Sequence, residues 1–472
     1  MRGPDKKVKQ LEIDPFDLSD PTFIETYRLS KDLVRGLCEE LKPVMPDSTK
    51  SVEFSIESKV LATLSFFATG KYQKSMGGKT DPNITQYFVS VAVIQVTEAM
   101  NHPTILKKYI HFPHLKEERD IVKAKFYMKY GIPDVIGCVD CTHVPIPRPD
   151  EDQKVHFNKS YHSKKAQIVC DSDLNITSVY AQPGGSYSHD AILNRHGVKV
   201  DLISLSQTGE QCWLIAYLVF PGGPYYTQME YLMTPIPKVT KKSPVSPDKH
   251  YATMHSQAHN AITDTIKHLK SRWKVLQATC NKQFDPPQVA MIIVACCVLH
   301  NLCNRRGLPI VPMTQTEERL EGMKQKVANG PVPRKQTEDP AGVQARSKLV
   351  ERLWNERQIA PETIAPKKRT KKDRLLENHH SQQQQPHQQI PHQQHQQQQQ
   401  QQPQPIPQQQ QHILHSHQQQ SQPMALQPSH SLHQPLHHED LSKRPRIMTL
   451  NTPTYSLNVP PAPVWTHHYP QH

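Results

Sequence analysis

Apolar residues are scarce in this chain, and it has no long hydrophobic run. Of its 472 residues only 36% are apolar, whereas about half is usual for a globular protein. The longest apolar stretch, residues 289–299, is too short to cross a bilayer core of about 30 Å. Residues 1–10 are charged, which is not the pattern of a signal peptide. We therefore expect a soluble protein that is neither secreted nor inserted in a membrane.

Paired cysteine spacings are also lacking. The nine cysteines are an odd number scattered along the chain, unlike the disulfide framework of a small secreted domain. Cys138 and Cys141 form one Cys-x-x-Cys pair, but a zinc site needs four ligands and no second pair follows at a suitable spacing. His255 and His259 lie one helical turn apart without the glutamate that zinc proteases place between them. The sequence favours reduced, structural thiols.

A low-complexity tail accounts for much of the missing apolar content. Residues 377–472 are rich in Gln, His and Pro, with an unbroken glutamine run at 396–402. This composition cannot bury enough apolar surface to fold, so we expect a disordered segment that associates weakly, as in transcription and chromatin proteins. The net charge of +13 belongs to residues 1–375. The folded part is therefore basic, which suits a nucleic-acid partner.

The spacing of apolar positions divides the chain into five segments. Residues 1–20 are a flexible lead-in, and residues 21–125 have the three-and-four spacing of amphipathic helices. Short β-like runs followed by helices occupy residues 126–310 and indicate an α/β domain. Residues 311–376 contain a polar linker, a short helix and a basic cluster, and residues 377–472 form the tail.

Two predicted N-terminal helices have the arrangement of a DNA-binding helix-turn-helix. A polar turn around residues 77–78 joins them, and Lys71, Lys74 and Lys79 would lie near phosphates. An ordinary helical bundle produces the same spacing. The sequence leaves both interpretations open.

A dense basic cluster follows a short helix that we predict over residues 342–354. Its members are Lys367, Lys368, Arg369, Lys371, Lys372 and Arg374. Such a cluster is typical of a nuclear localisation signal or of nonspecific phosphate contacts, with a solvated charge run as the alternative. We expect a nuclear protein, and a cytoplasmic pool is compatible with the same sequence.

Six short motifs follow one another in a distinctive order. They are residues 137–143, 162–171, 183–190, 231–235, 270–273 and 295–301, and the helical part adds Phe23 and residues 66–70, 96–99 and 110–113. Together they resemble the Harbinger-type transposases and their domesticated, nuclease-like relatives in animals. The resemblance implies an RNase H-like nuclease domain after a small all-α domain. It also implies that two Asp and one Glu hold two Mg²⁺ or Mn²⁺ ions, which assist a phosphodiester displacement.

Only one of the three expected acids is present. Asp140 follows the apolar run 135–139 and matches the metal-bridging carboxylate of the family pattern. Tyr217 stands at the second position, and no Asp or Glu occurs between residues 211 and 229. Thr263 stands at the third position, on a predicted helix. A tyrosine hydroxyl, with a pKa of about 10, is neutral at neutral pH and is a poor ligand for Mg²⁺.

Three other acids are candidates to replace the lost ones. Asp171 and Asp190 match family positions, and Asp264 is the neighbour of Thr263. One residue turns a helix by about 100°, however, which aims Asp264 away from the position of Thr263. Asp171 also has a structural interpretation as a turn residue, and Asp190 has one as a helix cap.

This pattern is compatible with three functions. The favoured one is a domesticated, transposase-derived nuclear protein that has largely lost cleavage, binds DNA or protein, and works with a separate DNA-binding partner protein. The first alternative is a DNA endonuclease that uses Asp140, substitute acids and a divalent metal. The second is a transcriptional adaptor without DNA contact. None of the three predicts a membrane or a small-molecule substrate.

Overall fold

A mixed five-stranded sheet forms the centre of the fold, in the order β3-β2-β1-β4-β5. The strands are β1 Val135–Pro145, β2 Ser163–Cys170, β3 Ile176–Tyr180, β4 Trp213–Ala216 and β5 Leu232–Met233. β2 is antiparallel to both β1 and β3. β4 runs parallel to β1 and to β5. The predicted α/β class is confirmed, and β1 extends six residues beyond the apolar run 135–139.

The computed structural model describes residues 14–46, 54–71, 86–216, 226–236, 239–240, 242–277, 284–328 and 338–359. All of them belong to one compact unit, Met1–Lys368. Several predicted features lie outside the described residues. They are Tyr217, the turn with Lys74 and Lys79, the basic cluster of residues 367–374 and the glutamine-rich tail.

Helices precede, interrupt and follow the strands. Before the sheet, the described residues form α1 Asp20–Tyr27, α2 Lys31–Leu41, α3 Ile56–Thr69, α4 Gln86–Met100, α5 Pro103–Tyr109 and α6 Lys116–Tyr130. Between the strands lie α7 Gln153–His156, α8 His189–Leu193 and α9 Val198–Gln207. After the sheet come α10 Pro247–Arg272, α11 Pro286–Arg305, α12 Gln315–Ala328 and α13 Pro340–Ile359.

The helix ends follow the local signals in the sequence. Ser30 caps α2 by accepting a hydrogen bond from the Leu33 amide at 3.4 Å, and Ser55 caps α3 through the Ser58 amide at 3.1 Å. Gly70 ends α3 with a φ of +68°, a left-handed conformation that glycine adopts without strain. A serine before an apolar repeat and a glycine after it are ordinary sequence signals for the start and the end of a helix, so these bounds follow from the local sequence.

The N-terminal helices share one hydrophobic core with the helices that cover the sheet. The ring of Phe66 lies 5.8 Å from that of Phe284, and the ring of Phe67 lies 6.4 Å from that of Trp273. α3 is buried around nearly its whole circumference. In a helix-turn-helix the second helix enters the groove, so the burial of α3, the first helix of the pair, is compatible with both interpretations.

The predicted apolar stretch at residues 289–299 belongs to the longer helix α11. By length and composition alone, this helix could cross a membrane. However, 72% of its most apolar stretch is buried inside the protein. Among the described residues α11 therefore has the position of a core helix, packed against α4, α10 and the sheet.

The segment that we predicted as a polar linker contains α12, and the predicted helix at 342–354 is longer, as α13 Pro340–Ile359. α12 has no apolar stripe that would have indicated a packed helix. Ion pairs attach it to α10 instead, including a bond of 2.7 Å from Lys270 Nζ to Glu321.

The side chain of Asn301 joins α11 to the edge of the sheet and to α5. Its Oδ1 accepts a hydrogen bond from the Ile176 amide at 2.7 Å. Its Nδ2 donates to the Ile176 carbonyl at 2.6 Å and to the Tyr109 carbonyl at 2.8 Å. Asn301 is 0% exposed, so each buried group that loses its partner costs about 1–3 kcal/mol.

We predict that Asn301→Leu lowers the free energy of unfolding by about 3 kcal/mol, because it removes these bonds while nearly preserving the volume. Urea unfolding followed by circular dichroism measures the change. Asn304→Leu, one turn later and partly exposed, is the matched control and should cost about 1 kcal/mol or less. Equal losses of unfolding free energy in the two variants would show that the Asn301 hydrogen bonds do not contribute more than those of a partly exposed asparagine.

Candidate active site

Asp140 lies in the central strand β1, opposite Ile168 of β2. Successive side chains of a strand alternate between its faces. Cys138 packs in the core shared with α10, whereas Val139 packs in the core shared with α8 and α9. Asp140 is therefore directed towards α10, on the same face as Cys138.

The carboxyl of Asp140 is held in a poorly solvated position. Its side chain is 27% exposed, and its Oδ1 accepts a hydrogen bond from the Cys141 amide at 2.7 Å. Burial raises the pKa of Asp140 to about 6, while the Cys141 hydrogen bond and the charge of Lys165 lower it in part. The group therefore titrates closer to neutral pH than an ordinary carboxyl.

Helix α10 brings His259 beside this carboxyl, with Nε2 at 3.8 Å from Asp140 Oδ2. Burial, with a smaller contribution from the nearby His255, lowers the pKa of His259 to about 3. The imidazole is thus neutral at physiological pH, and the contact is not an ion pair. One turn later, Thr263 Oγ1 lies 3.5 Å from His259 Nδ1. We call Asp140, His259 and Thr263 the Asp140 site.

His255, one turn earlier on α10, has a structural contact instead. Its Nε2 donates a hydrogen bond to the Met233 carbonyl at 3.0 Å, which fixes α10 to β5. Burial lowers the pKa of His255 to about 4.

Asp171 lies in the turn between β2 and β3. Its Oδ1 accepts hydrogen bonds from the amides of Asp173 and Asn175 at 2.9 and 2.8 Å. Its Oδ2 accepts one from the Asn175 side chain at 2.9 Å. Along β2, Asp171 is three residues beyond Ile168, the partner of Asp140, a displacement of about 10 Å. The structure gives Asp171 the turn role and does not bring it to Asp140.

Asp190 lies in the first turn of α8, but the cap of that helix is Ser188, whose Oγ accepts a hydrogen bond from the Ala191 amide at 3.2 Å. The Asp190 carboxylate instead accepts hydrogen bonds from the Thr227 hydroxyl at 2.6 Å and the Thr227 amide at 3.0 Å. Burial raises the pKa of Asp190, and the Thr227 bonds lower it in part. Asp190 therefore attaches the segment that contains Thr227 to α8.

Asp264, the third substitute candidate, is exposed on α10. Among the described residues, no three His, Cys, Asp or Glu side chains lie close enough to share a metal ion. Residues 217–225, outside the described ranges, contain no acid. The structure thus places none of the three candidates beside Asp140.

The donor chemistry of the Asp140 site does not fit the two-ion arrangement that the family pattern implies. Mg²⁺ and Mn²⁺ prefer several ionised oxygen ligands. Asp140 supplies one carboxyl with a raised pKa, His259 is a neutral imidazole, and Thr263 offers a hydroxyl. One carboxyl cannot balance the charge of two divalent ions.

A buried polar network that the sequence analysis did not identify lies on the opposite face of β1. The hydroxyl of Tyr226 accepts a hydrogen bond from Gln167 Nε2 at 3.1 Å and lies 3.5 Å from Cys141 Sγ. Gln167 Oε1 bonds His196 Nδ1 at 2.9 Å, and His196 Nε2 bonds Ser178 Oγ at 2.8 Å. The sequence carried no signal for this network, because its members come from separate elements.

Comparisons with known proteins agree with the motif order. The family described as DDE superfamily endonuclease matches residues 139–301. The "Putative nuclease HARBI1" of Xenopus laevis is 30% identical over 301 residues, which cover 62% of this chain and 81% of the relative. The human protein of the same name is 30% identical over 306 residues, covering 63% and 82%. "Protein ALP1-like" of Arabidopsis thaliana is 25% identical over 305 residues, covering 60% and 71%. No solved structure matches the chain.

The raised pKa of Asp140 predicts a pH-dependent stability. Folding shifts this pKa from 3.8 to about 6. The contribution of the protonated carboxyl to the stability of the fold is therefore complete below pH 3.8 and is lost as the pH rises through about 6. We expect Asp140→Asn to be more stable than the wild type by about 3 kcal/mol at about pH 7.5, and equally stable at about pH 3.5.

Urea unfolding at several pH values measures this difference. The control is Asp120→Asn on α6, whose side chain is 50% exposed and should leave the stability nearly unchanged at every pH. A wild type that exceeds Asp140→Asn in stability at about pH 7.5 would contradict the assigned burial effect.

Proposed function

The chain belongs to the Harbinger transposase-derived, nuclease-like family of the DDE superfamily, and on this premise we propose that it keeps the family fold while having lost most of the metal-dependent cleavage. In this proposal it acts by binding DNA, protein or both. The composition of the Asp140 site carries the proposal: one carboxyl lies beside a neutral imidazole and a threonine hydroxyl.

The physical reason is charge. In a two-metal displacement, one ion activates the attacking oxygen and the other stabilises the leaving oxygen, so both must be held. Carboxylates hold them by balancing their positive charge. Thr263 takes the position of one acid, and Tyr217 takes that of another. Asp140 alone supplies too little negative charge for this chemistry.

An RNase H-like architecture is part of the same proposal. It is supported by a mixed sheet with three antiparallel strands and two parallel ones, and by the position of Asp140 in the central strand. Ala216, the last described residue before position 217, pairs with Val139, the neighbour of Asp140. This register supports the alignment that assigns Tyr217 to the second acid position.

Nuclear DNA binding is proposed from charge. Residues 1–375 carry the whole net charge of +13, which favours association with a phosphate backbone. The basic cluster of residues 367–374 suits a nuclear localisation signal. We also propose a separate DNA-binding partner protein, by analogy with the family. A protein-only adaptor would lack salt-sensitive DNA binding, and that difference separates the two modes of action.

An active nuclease that uses substitute acids is less well supported. The oxygens of Asp171 accept hydrogen bonds within a turn, those of Asp190 accept them from Thr227, and Asp264 is exposed. Each acid therefore has a local structural explanation.

Restoring the two missing acids tests the proposal. We expect Tyr217→Asp combined with Thr263→Glu to tighten Mn²⁺ binding by at least about tenfold, the size expected for one added charged ligand. Thr263 is exposed, so a longer side chain fits there. Calorimetry on the full chain measures binding, and plasmid nicking in Mn²⁺ or Mg²⁺ measures cleavage.

The matched control is Tyr217→Asn combined with Thr263→Gln, which has similar shapes without the charges and should not bind Mn²⁺. Adding Asp140→Asn to the variant with the restored acids should abolish its gain in Mn²⁺ affinity. The proposal is wrong if the wild type itself binds Mn²⁺ and nicks plasmid, and if Asp140→Asn removes both activities.

A further inference from the structure

A stripe of lysines extends from the Asp140 site along α10. Lys267, Lys270 and Lys274 follow His259 and Thr263 at intervals of three and four residues, so all five lie on one side of the helix and the turn after it. Lys267 and Lys270 lie in the last turns of α10, and Lys274 lies in the short 3-10 turn that follows Trp273. We call Lys267, Lys270 and Lys274 the lysine stripe.

Helix α12 carries three glutamates and three basic residues, and it covers the lysine stripe with its glutamates. Each lysine pairs with one glutamate at an N–O distance of 2.7 Å, as Lys267 with Glu318, Lys270 with Glu321 and Lys274 with Glu317. Farther along α12, Gln325 Nε2 donates a hydrogen bond of 2.8 Å to Thr142 Oγ1. Thr142 lies two residues after Asp140, so α12 reaches β1 next to the Asp140 site.

Ion pairs and polar contacts, rather than apolar burial, hold α12 in place. Among its described side chains, residues 315–325, only Glu321 is buried. Met323 is 54% exposed. The pairs of Lys267 and Lys274 are partly exposed, and ion pairs of this kind contribute little individually and weaken with salt. A competing polyanion can therefore displace α12 from the lysine stripe at a modest cost in free energy.

We propose that the lysine stripe binds the phosphate backbone of duplex DNA and that α12 occupies it in the free protein as an intramolecular competitor. The inference rests on the proposed DNA-binding function. DNA fits the stripe because a row of lysines leads directly to the position where the family nuclease handles a phosphodiester. Binding requires α12 to move off, and counterion release from DNA supplies a driving force for this exchange at low salt.

The test variant is Glu317→Gln combined with Glu318→Gln, which weakens two of the three pairs. Glu317 and Thr314 cap α12 reciprocally, with bonds of 2.9 and 3.2 Å, and glutamine preserves such a capping box. Glu321 stays unchanged, because the side chain of Lys270 is only 3% exposed and would become a buried unpaired charge.

Fluorescence anisotropy with a labelled DNA duplex across a salt series measures the affinity of the full chain. We expect the variant to bind about 3- to 10-fold more tightly at low salt, the size expected from two partly exposed ion pairs. The slope of log affinity against log salt should steepen, because in the wild type salt also weakens the competing ion pairs and so offsets part of the loss of DNA affinity. Adding Lys267→Gln and Lys274→Gln should remove both effects.

A control with the same change in net charge is Glu117→Gln combined with Asp120→Asn, on the exposed side of α6. An equal gain in DNA affinity in this control would show that the effect comes from net charge alone, and it would overturn the inference. Equal binding by all variants would also overturn it, while leaving DNA binding in place. Failure of every variant to bind DNA would remove both the inference and the DNA-binding part of the proposed function.

Hydrogen exchange of the wild type provides a readout that does not depend on a variant. Duplex DNA should accelerate amide exchange in α12, because the helix leaves the lysine stripe on binding. Exchange in α11, in the core, should stay unchanged. Bound DNA without faster exchange in α12 would overturn the inference.

Discussion

The site depends on a carboxyl in the central strand that has only partial access to water. A carboxylate in this position needs positive charge or strong donors to stay ionised. Among the described residues, the structure offers Asp140 the Cys141 amide and the charge of Lys165, and the neighbouring His259 is itself kept neutral by burial. The raised pKa of Asp140 follows directly. The same geometry with three carboxylates would attract divalent ions. The number of carboxylates therefore decides whether this site binds metal or holds a single carboxyl with a raised pKa.

The surrounding fold fixes this geometry through contacts among its own residues. His255 links α10 to β5, Asn301 links α11 to β3 and α5, and Asp190 fastens the chain at Thr227 to α8. These ties are hydrogen bonds between buried polar groups and the backbone or a neighbouring side chain. Under the proposed function, these ties would let the fold persist after the loss of catalytic acids.

Local signals in the sequence predicted much of the fold. Ser30 and Ser55 marked helix starts, and the motif around Asp140 identified the central strand and the family. Long-range partners left no such signal. The pairing of Asp190 with Thr227 joins residues far apart in sequence, and α12 has a polar composition that is typical of a linker. In both cases the deciding interaction is made with a different element, so periodicity and composition could not predict it.

The ionisation of Asp140 tests the central claim most directly. A carbon-13 NMR titration of labelled aspartates, assigned with Asp140→Asn, can be recorded with and without saturating Mg²⁺. The account predicts a pKa of about 6 for Asp140 that Mg²⁺ leaves unchanged, because one carboxyl beside a neutral imidazole does not hold the ion. A pKa near the ordinary value of about 4 that falls further with Mg²⁺ would contradict it and indicate a working metal site.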